Sequence, residues 1–189
     1  MDFEITLKLN DYVTYVFNNE EFKAYDAEKD GPITINGDII VDGNAIGNLK
    51  GYQLYSDANL CMLCDEISGD CEKIAATICD KTGAVSKKYL SDATGFDRIF
   101  ILDKIEINEN FRNKGIGSAI IKKLPKMLQY QFDFDSSIFL CAGDFESAKK
   151  YGFKSEEYKK GSKRLVEFYK RCGYKMIKNN VMVCNISEE

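Results

Sequence analysis

The stretch FDRIFILDKIEI (96–107) is dense in β-branched and aromatic residues, and it runs into a basic turn that carries two glycines. It reads as a buried strand. The following RNKGIGSAIIKKLPKMLQYQF (112–132) sets Ile116, Ile120, Ile121, Leu124 and Leu128 on one helical face, with Pro125 expected to kink or shorten the helix. SSIFLCAG (136–143) then reads as a second buried strand. Strand, helix-opening turn, helix and strand in series demand an α/β chain with a sheet covered by helices.

The flanking segments extend that sheet. FEITLKL (3–9) alternates with period two, and ITINGDIIVDGN (33–44) and AIGNLKGYQLYS (45–56) form a hairpin pattern turned at Asp42-Gly43-Asn44. Residues 11–30 mix aromatics with acids and fit helix or strand equally. Residues 57–80 carry an apolar helical stripe, Leu60, Leu63, Ile67, Cys71, Ile74 and Ile78, with a break signalled at Ser68-Gly69-Asp70. GSKRLVEFYKRCGY (161–174) is a helix ended by Gly173, and YKMIKNNVMVCNI (174–186) a hairpin turned at Asn179-Asn180. A mixed sheet and a single domain over 1–189 are expected.

Composition narrows the chemistry. The 189 residues are 44% apolar and 12% aromatic, enough for a real core, and contain neither His nor Trp. His-based triads and His-ligated metals are therefore excluded, and proton transfer falls to Asp, Glu, Tyr, Cys, Lys, backbone or water. No apolar run is long enough to span a bilayer, and MDFEITLKLND lacks the apolar core of a signal peptide, so a cytoplasmic protein without membrane contact is expected. Seven cysteines, an odd count, agree with a reducing compartment. Cys61, Cys64, Cys71 and Cys79 invite a zinc reading, but their spacing is poor for a zinc ribbon, and the same segment carries the helical stripe, where Cys serves as a small apolar residue. No metal is expected.

Charge is divided unevenly. Residues 1–97 hold 8 Lys and Arg against 18 Asp and Glu, a balance of 8 − 18 = −10, and residues 98–189 hold 18 against 12, a balance of 18 − 12 = +6. Two solvated surfaces, or an anionic ligand on one half and a cationic partner on the other, both fit this division. No nucleic-acid module is visible, and no nucleic-acid partner is expected.

The turn itself, Arg112-Asn113-Lys114-Gly115-Ile116-Gly117, opens a helix directly after a buried strand. Free N–H groups, the helix dipole and two cationic side chains make such a turn an anion site, and glycines let a phosphate approach the backbone. Taken with Tyr169-Lys170-Arg171-Cys172-Gly173-Tyr174, residues 96–186 resemble the GCN5-related N-acetyltransferase (GNAT) family. That family has Arg or Gln, two residues, Gly, one residue, then Gly or Ala at its acetyl-CoA loop, and a later helix ending in Tyr, three residues, Gly and Phe. Here Tyr174 stands in place of the Phe.

The resemblance implies a mixed, mostly antiparallel central sheet flanked by helices and splayed at the acetyl-CoA site. Residues 1–95 would form the acceptor-side half and 96–186 the acetyl-CoA core. Backbone groups near Ile105 and Ile107 would hydrogen-bond pantetheine, and the amides of Arg112, Asn113, Lys114, Gly115, Ile116, Gly117 and Ser118 would hold the pyrophosphate. The family's Asn in the late helix is replaced by Ser162. Segment 143–161 is a lid or acceptor loop, or else a solvated Lys/Glu surface.

Tyr169 would be the general acid that protonates the departing CoA thiolate, a transfer uphill by about 2 kcal/mol at free reference values; its bland alternative is a packed helix aromatic. Asp103 stands nine residues before Arg112, where the family often places an acid, and would be the general base, with Glu106 in reserve. By plain strand alternation Asp103 shares a face with Ile105 and Ile107. Asp103 could equally be a strand-edge charge. The implied activity is direct transfer of an acetyl group from acetyl-CoA to a primary amine of a small molecule or peptide, with a cationic acceptor drawn to the acidic half and an oligomer possible. A non-catalytic acyl-CoA-binding or protein-interaction domain on the same fold is the alternative.

Overall fold

A computed structural model describes residues 5–9, 32–56, 59–90, 98–132 and 137–186, without the side chains of 5–9 and 130–132; residues 11–30 lie outside this set. In chain order the elements are β1 (Ile5–Leu9), β2 (Ile33–Val41), β3 (Asn44–Tyr55), α1 (Leu60–Asp65), α2 (Gly69–Ile78), β4 (Arg98–Ile107) and α3 (Ile116–Phe132). There follow β5 (Ser137–Cys141), α4 (Phe145–Tyr151), α5 (Glu156–Arg171), β6 (Lys175–Lys178) and β7 (Val181–Asn185).

The strands form one seven-stranded sheet in the order β1-β2-β3-β4-β5-β7-β6. Every neighbouring pair is antiparallel except β4 with β5. The chain is thus α/β with a mixed, mostly antiparallel sheet flanked by helices, as its pattern of elements indicates. Both hairpin turns fall where expected: Asp42 and Gly43 (φ 48° and 78°) and Asn179 and Asn180 (φ 51° and 66°) adopt the left-handed pairs that suit two-residue turns.

Each face of the sheet carries its own core. On one, Ile116, Ile120, Ile121, Leu124 and Leu128 of α3 and Val166 and Tyr169 of α5 pack on Phe100, Leu102, Ile138 and Leu140. On the other, Leu60, Cys64, Cys71, Ile74 and Ile78 of α1 and α2 pack on Ile99, Ile101 and Phe139. Each fully buried Ile or Leu contributes about 1.5–3 kcal/mol. The apolar stripe of 57–80 is one helical surface interrupted at Ser68, whose hydroxyl accepts from Cys71 N–H at 3.2 Å and restarts the helix.

Two expectations need correction. Pro125 does not end α3, which runs on to Phe132, although Pro removes one backbone donor from the helix. The late helix begins at Glu156 rather than 161, because Ser155 caps it by accepting from Tyr158 N–H at 3.1 Å. Segment 143–161 holds helix α4 and the first turns of α5, with its lysines exposed, in keeping with the solvated-surface reading.

Two irregularities shape the centre of the sheet. Lys50 pairs with Lys104 and Gly51 with Leu102, leaving Asp103 as an extra residue, a bulge in β4. β4 and β5 pair only over residues 100–102 against 138–140, and β4 then continues to Ile107 while β5 stops at Cys141. Beyond Leu102 and Leu140 the β5-side edge of β4 has no strand partner among the described residues, which leaves a gap in the ladder.

Candidate active site

The turn between β4 and α3 is built as an open cradle. Asn113 and Gly115 take φ of 62° and 84°, a left-handed conformation that Asn tolerates and Gly adopts without strain. The first bond of the helix runs from Ala119 N–H to Gly115 C=O at 3.0 Å. Among the described residues, the N–H groups of Asn113, Lys114, Gly115, Ile116, Gly117 and Ser118 make no such bond and cluster at the positive end of the α3 dipole, whereas the Arg112 N–H, also expected in the cradle, donates to Glu109 C=O at 3.1 Å. A Cβ on Gly117 would sit 3.3 Å from Ile107 Cδ1, so glycine lets the helix start pack directly on the strand end.

The two cations of the turn have different roles. Arg112 Nε donates to Ile107 C=O at 2.7 Å, and its two terminal nitrogens reach Glu146 of α4 at 3.1 and 3.4 Å. Its guanidinium therefore braces the turn between β4 and α4. Lys114 is exposed, with Nζ 5.2 Å from the Phe111 ring centroid, and supplies positive charge beside the cradle.

The free edge of β4 leads from the cradle into the gap. Asn108 N–H donates to Ile46 C=O at 2.8 Å, which sets the phase of the β3–β4 ladder. In that phase Glu106 bonds across to β3, while Ile105 and Ile107 turn their backbone groups away from it, toward the gap. Ile107 C=O is already taken by Arg112. Ile105 is the residue best placed to offer both backbone groups to a ligand lying along this edge.

The bulge overturns the expected strand parity. Phe100 and Leu102 face the α3 core and Ile99 and Ile101 the α2 core, but beyond the extra residue Ile105 and Ile107 pack on the α3 side. Asp103 points the other way: its Oδ1 accepts from Ser68 Oγ at 3.2 Å and lies 4.0 Å from Cys71 Sγ. Glu106 alternates onto the same side as Asp103 and pairs with Lys104 at 2.7 Å, which holds its carboxyl below the usual range. Asp103 is thus fixed at the α2 side of the gap, apart from Ile105 and Ile107.

Tyr169 comes from the opposite face. It is 8% exposed, with Phe168 and Tyr174 rings at 5.0 and 5.7 Å centroid separation. Burial raises its phenol well above the ordinary value, with Cys172 and Cys141 adding to the rise. Ser162 is 3% exposed, and its hydroxyl accepts from Asp144 N–H at 3.1 Å, which ties the end of β5 to α5. The Tyr174 hydroxyl is buried with no described partner.

Sequence reasoning missed the group that α2 brings to this place. Lys73 Nζ donates to Cys141 Sγ at 3.4 Å, and Asp70 lies near enough to both Lys73 and Asp103 to feel their charge. Burial raises the Asp70 carboxyl, Lys73 opposes the rise and Asp103 adds to it. The cap at Ser68 was the available signal, since it fixes which residues open α2. Nothing local marks Glu146 as the partner of Arg112.

Among the described residues, no group of three or more His, Cys, Asp or Glu side chains is arranged to hold a metal, and no helix is long and apolar enough to cross a membrane. The geometry suits an anionic ligand gripped at residues 113–118 and extended along the unpaired edge of β4; Tyr169 lies on the α3 face of the sheet and Asp103 on the α2 face.

No protein-family model and no curated protein matches the sequence. Among solved structures the chain is similar to Arabidopsis thaliana NAA60 in complex with acetyl-CoA (12% identity, 93% of this chain and 88% of that chain, TM-score 0.46). It is also similar to the same protein in complex with a bisubstrate analogue (13% identity, 97% of this chain and 100% of that chain, TM-score 0.46). A third similar structure is AtaTR bound with AcCoA (9% identity, 97% and 94% covered, TM-score 0.44).

Proposed function

We propose that this chain is an acetyl-CoA-dependent N-acetyltransferase that moves the acetyl group directly to a primary amine of a small molecule or peptide. One observation carries the reading. The unpaired N–H groups of residues 113–118 lie at the end of a strand whose free edge leads into a gap in the sheet. A diphosphate fits the cradle, and an extended amide-bearing arm fits the strand edge, where Ile105 can bond it as a neighbouring strand would. A thioester at the end of that arm would reach the place where β4 and β5 part.

The residues around that place have the chemistry for acyl transfer. Asp103 takes the proton of the incoming amine, directly or through water, since presenting a neutral Lys-like amine at pH 7 costs about 4–5 kcal/mol. The amine attacks the carbonyl carbon, the C–S bond breaks, and the electron pair leaves on sulfur. Tyr169 then supplies the sulfur's proton, a transfer that burial of the phenol makes steeper than the about 2 kcal/mol of the free reference values. The acidic residues 1–97 draw a cationic acceptor toward the α2 side.

Isothermal titration with CoA and acetyl-CoA, followed by a thiol-release screen over amines and peptides, tests this reading; absence of CoA affinity overturns it. The alternative, a non-catalytic acyl-CoA-binding or protein-interaction domain, is favoured by the depth at which Tyr169 is buried. CoA binding without turnover on any amine would establish it.

A further inference from the structure

We propose that Lys73 is the cation that meets the leaving sulfur of the thioester, a role in the transfer step that rests on the acetyl-CoA reading above. The inference comes from where α2 lies over the sheet. The last pair joining β4 to β5 is Leu102 with Leu140, so Asp103 and Cys141 are the first residues on either lip of the gap. Both lips are held by the start of α2. Ser68 donates to Asp103 Oδ1 at 3.2 Å on the β4 lip, and Lys73 Nζ donates to Cys141 Sγ at 3.4 Å on the β5 lip.

The assignment follows from how the charges divide. Asp103 stands on the lip where an amine must lose its proton. Lys73 stands on the other lip, bonded to Cys141 at the end of β5. An ammonium has three N–H donors. One is given to Cys141, and the Asp70 carboxyl lies one turn away on the same helix. A further donor can serve a second sulfur placed in the gap. As the C–S bond breaks, the electron pair collects on that sulfur beside Lys73, and the thiolate then takes a proton from Tyr169. Lys73 itself gains and loses nothing. The groups facing it are Asp70 from α2 and Cys141 from β5, with Asp103 of β4 acting on Asp70.

The test compares CoA with desulfo-CoA by isothermal titration and needs no knowledge of the acceptor. If Lys73 stabilises the thiolate enough to lower the bound thiol by one unit from about 8.5, preference for CoA over desulfo-CoA rises about fivefold between pH 6.5 and 8.5. Lys73→Met abolishes the rise and Lys73→Arg retains it. A flat ratio in the unaltered protein overturns the role of Lys73 and leaves the nucleotide reading intact. An undiminished rise in Lys73→Met overturns it as well. If neither nucleotide binds, the acetyl-CoA reading falls and Lys73 with it.

Discussion

The Ser118 hydroxyl and the Cys172 thiol lie 3.5 Å apart, joining the first turn of α3 to the end of α5. The helix that carries Tyr169 is thereby registered against the cradle, although the two are far apart in sequence. Substitution of either partner by a larger residue should disturb binding and catalysis together, whereas changes at the reacting groups should separate them.

Tyr169→Phe is the sharpest case. The ring and its packing on Phe168 and Tyr174 are retained, so CoA affinity should hold while kcat falls by about 10²–10⁴-fold. Equal kcat in the two proteins, measured at saturating acceptor, would reduce Tyr169 to a packing residue.

Asp103→Asn keeps the volume and the hydrogen bond from Ser68 but removes the base. We expect kcat to drop by about 10²-fold or more, with the loss shrinking as pH rises and free amine accumulates. Glu106→Gln, on an exposed carboxylate already paired with Lys104, should leave the profile unchanged. The reverse pattern in the pH–rate curves would exchange the roles.

Arg112→Ala removes the brace between Ile107 C=O and Glu146. The cradle should loosen and CoA affinity fall by about tenfold, a loss of about 1.4 kcal/mol. Glu146→Gln breaks only an exposed pair and should cost under about 1 kcal/mol. Titration calorimetry on the two variants distinguishes bracing by the strand end from bracing by α4.

Alkaline pH should unfold the protein through its thiols. Burial pushes Cys71 and Cys141 up to about 11 and Cys64 and Cys79 up to about 12, from an ordinary 9.0. Raised values mean that the native state keeps protons the unfolded chain releases. Their contribution is complete below pH 9 and is lost as pH climbs toward 11–12. Urea midpoints should fall steadily above about pH 9, and less so in Cys71→Ala once its own stability loss is subtracted. Exposed Cys61 should meet a thiol reagent first at neutral pH.

Tyr174→Phe should stabilise the fold. The hydroxyl is buried without a described partner, so its removal relieves about 1–3 kcal/mol of desolvation. For a chain of this size each kcal/mol is worth about 2–4 °C in Tm. An unchanged or lower melting temperature by calorimetry would mean that the hydroxyl has a partner.

Much of this architecture was legible because it rests on local pattern. The strand Arg98–Ile107, the turn at Gly115 and Gly117, the stripe of α3 and the Asn179-Asn180 hairpin each carry their own periodicity or turn chemistry. What escaped was set between elements. Simple alternation assigns Asp103 to the face of Ile105, and only the pairing of Lys50 with Lys104 and Gly51 with Leu102 reveals the added residue that separates them. Nothing local marks Lys73, whose bond to Cys141 depends on how α2 lies over the end of β5. Ser162 carried no signal of its bond to Asp144 N–H, because that contact depends on how the chain returns after β5.

The parting of β4 and β5 also bears on how the molecule holds together. The half built from β1 to β4 is stitched to the half built from β5 to β7 by a short parallel seam at residues 100–102 and 138–140. A ligand lodged beyond that seam would act as the missing length of ladder, so occupancy and cohesion become one thermodynamic quantity. Amide exchange along β5 should then slow when the gap is filled, and the empty protein should open first along this seam.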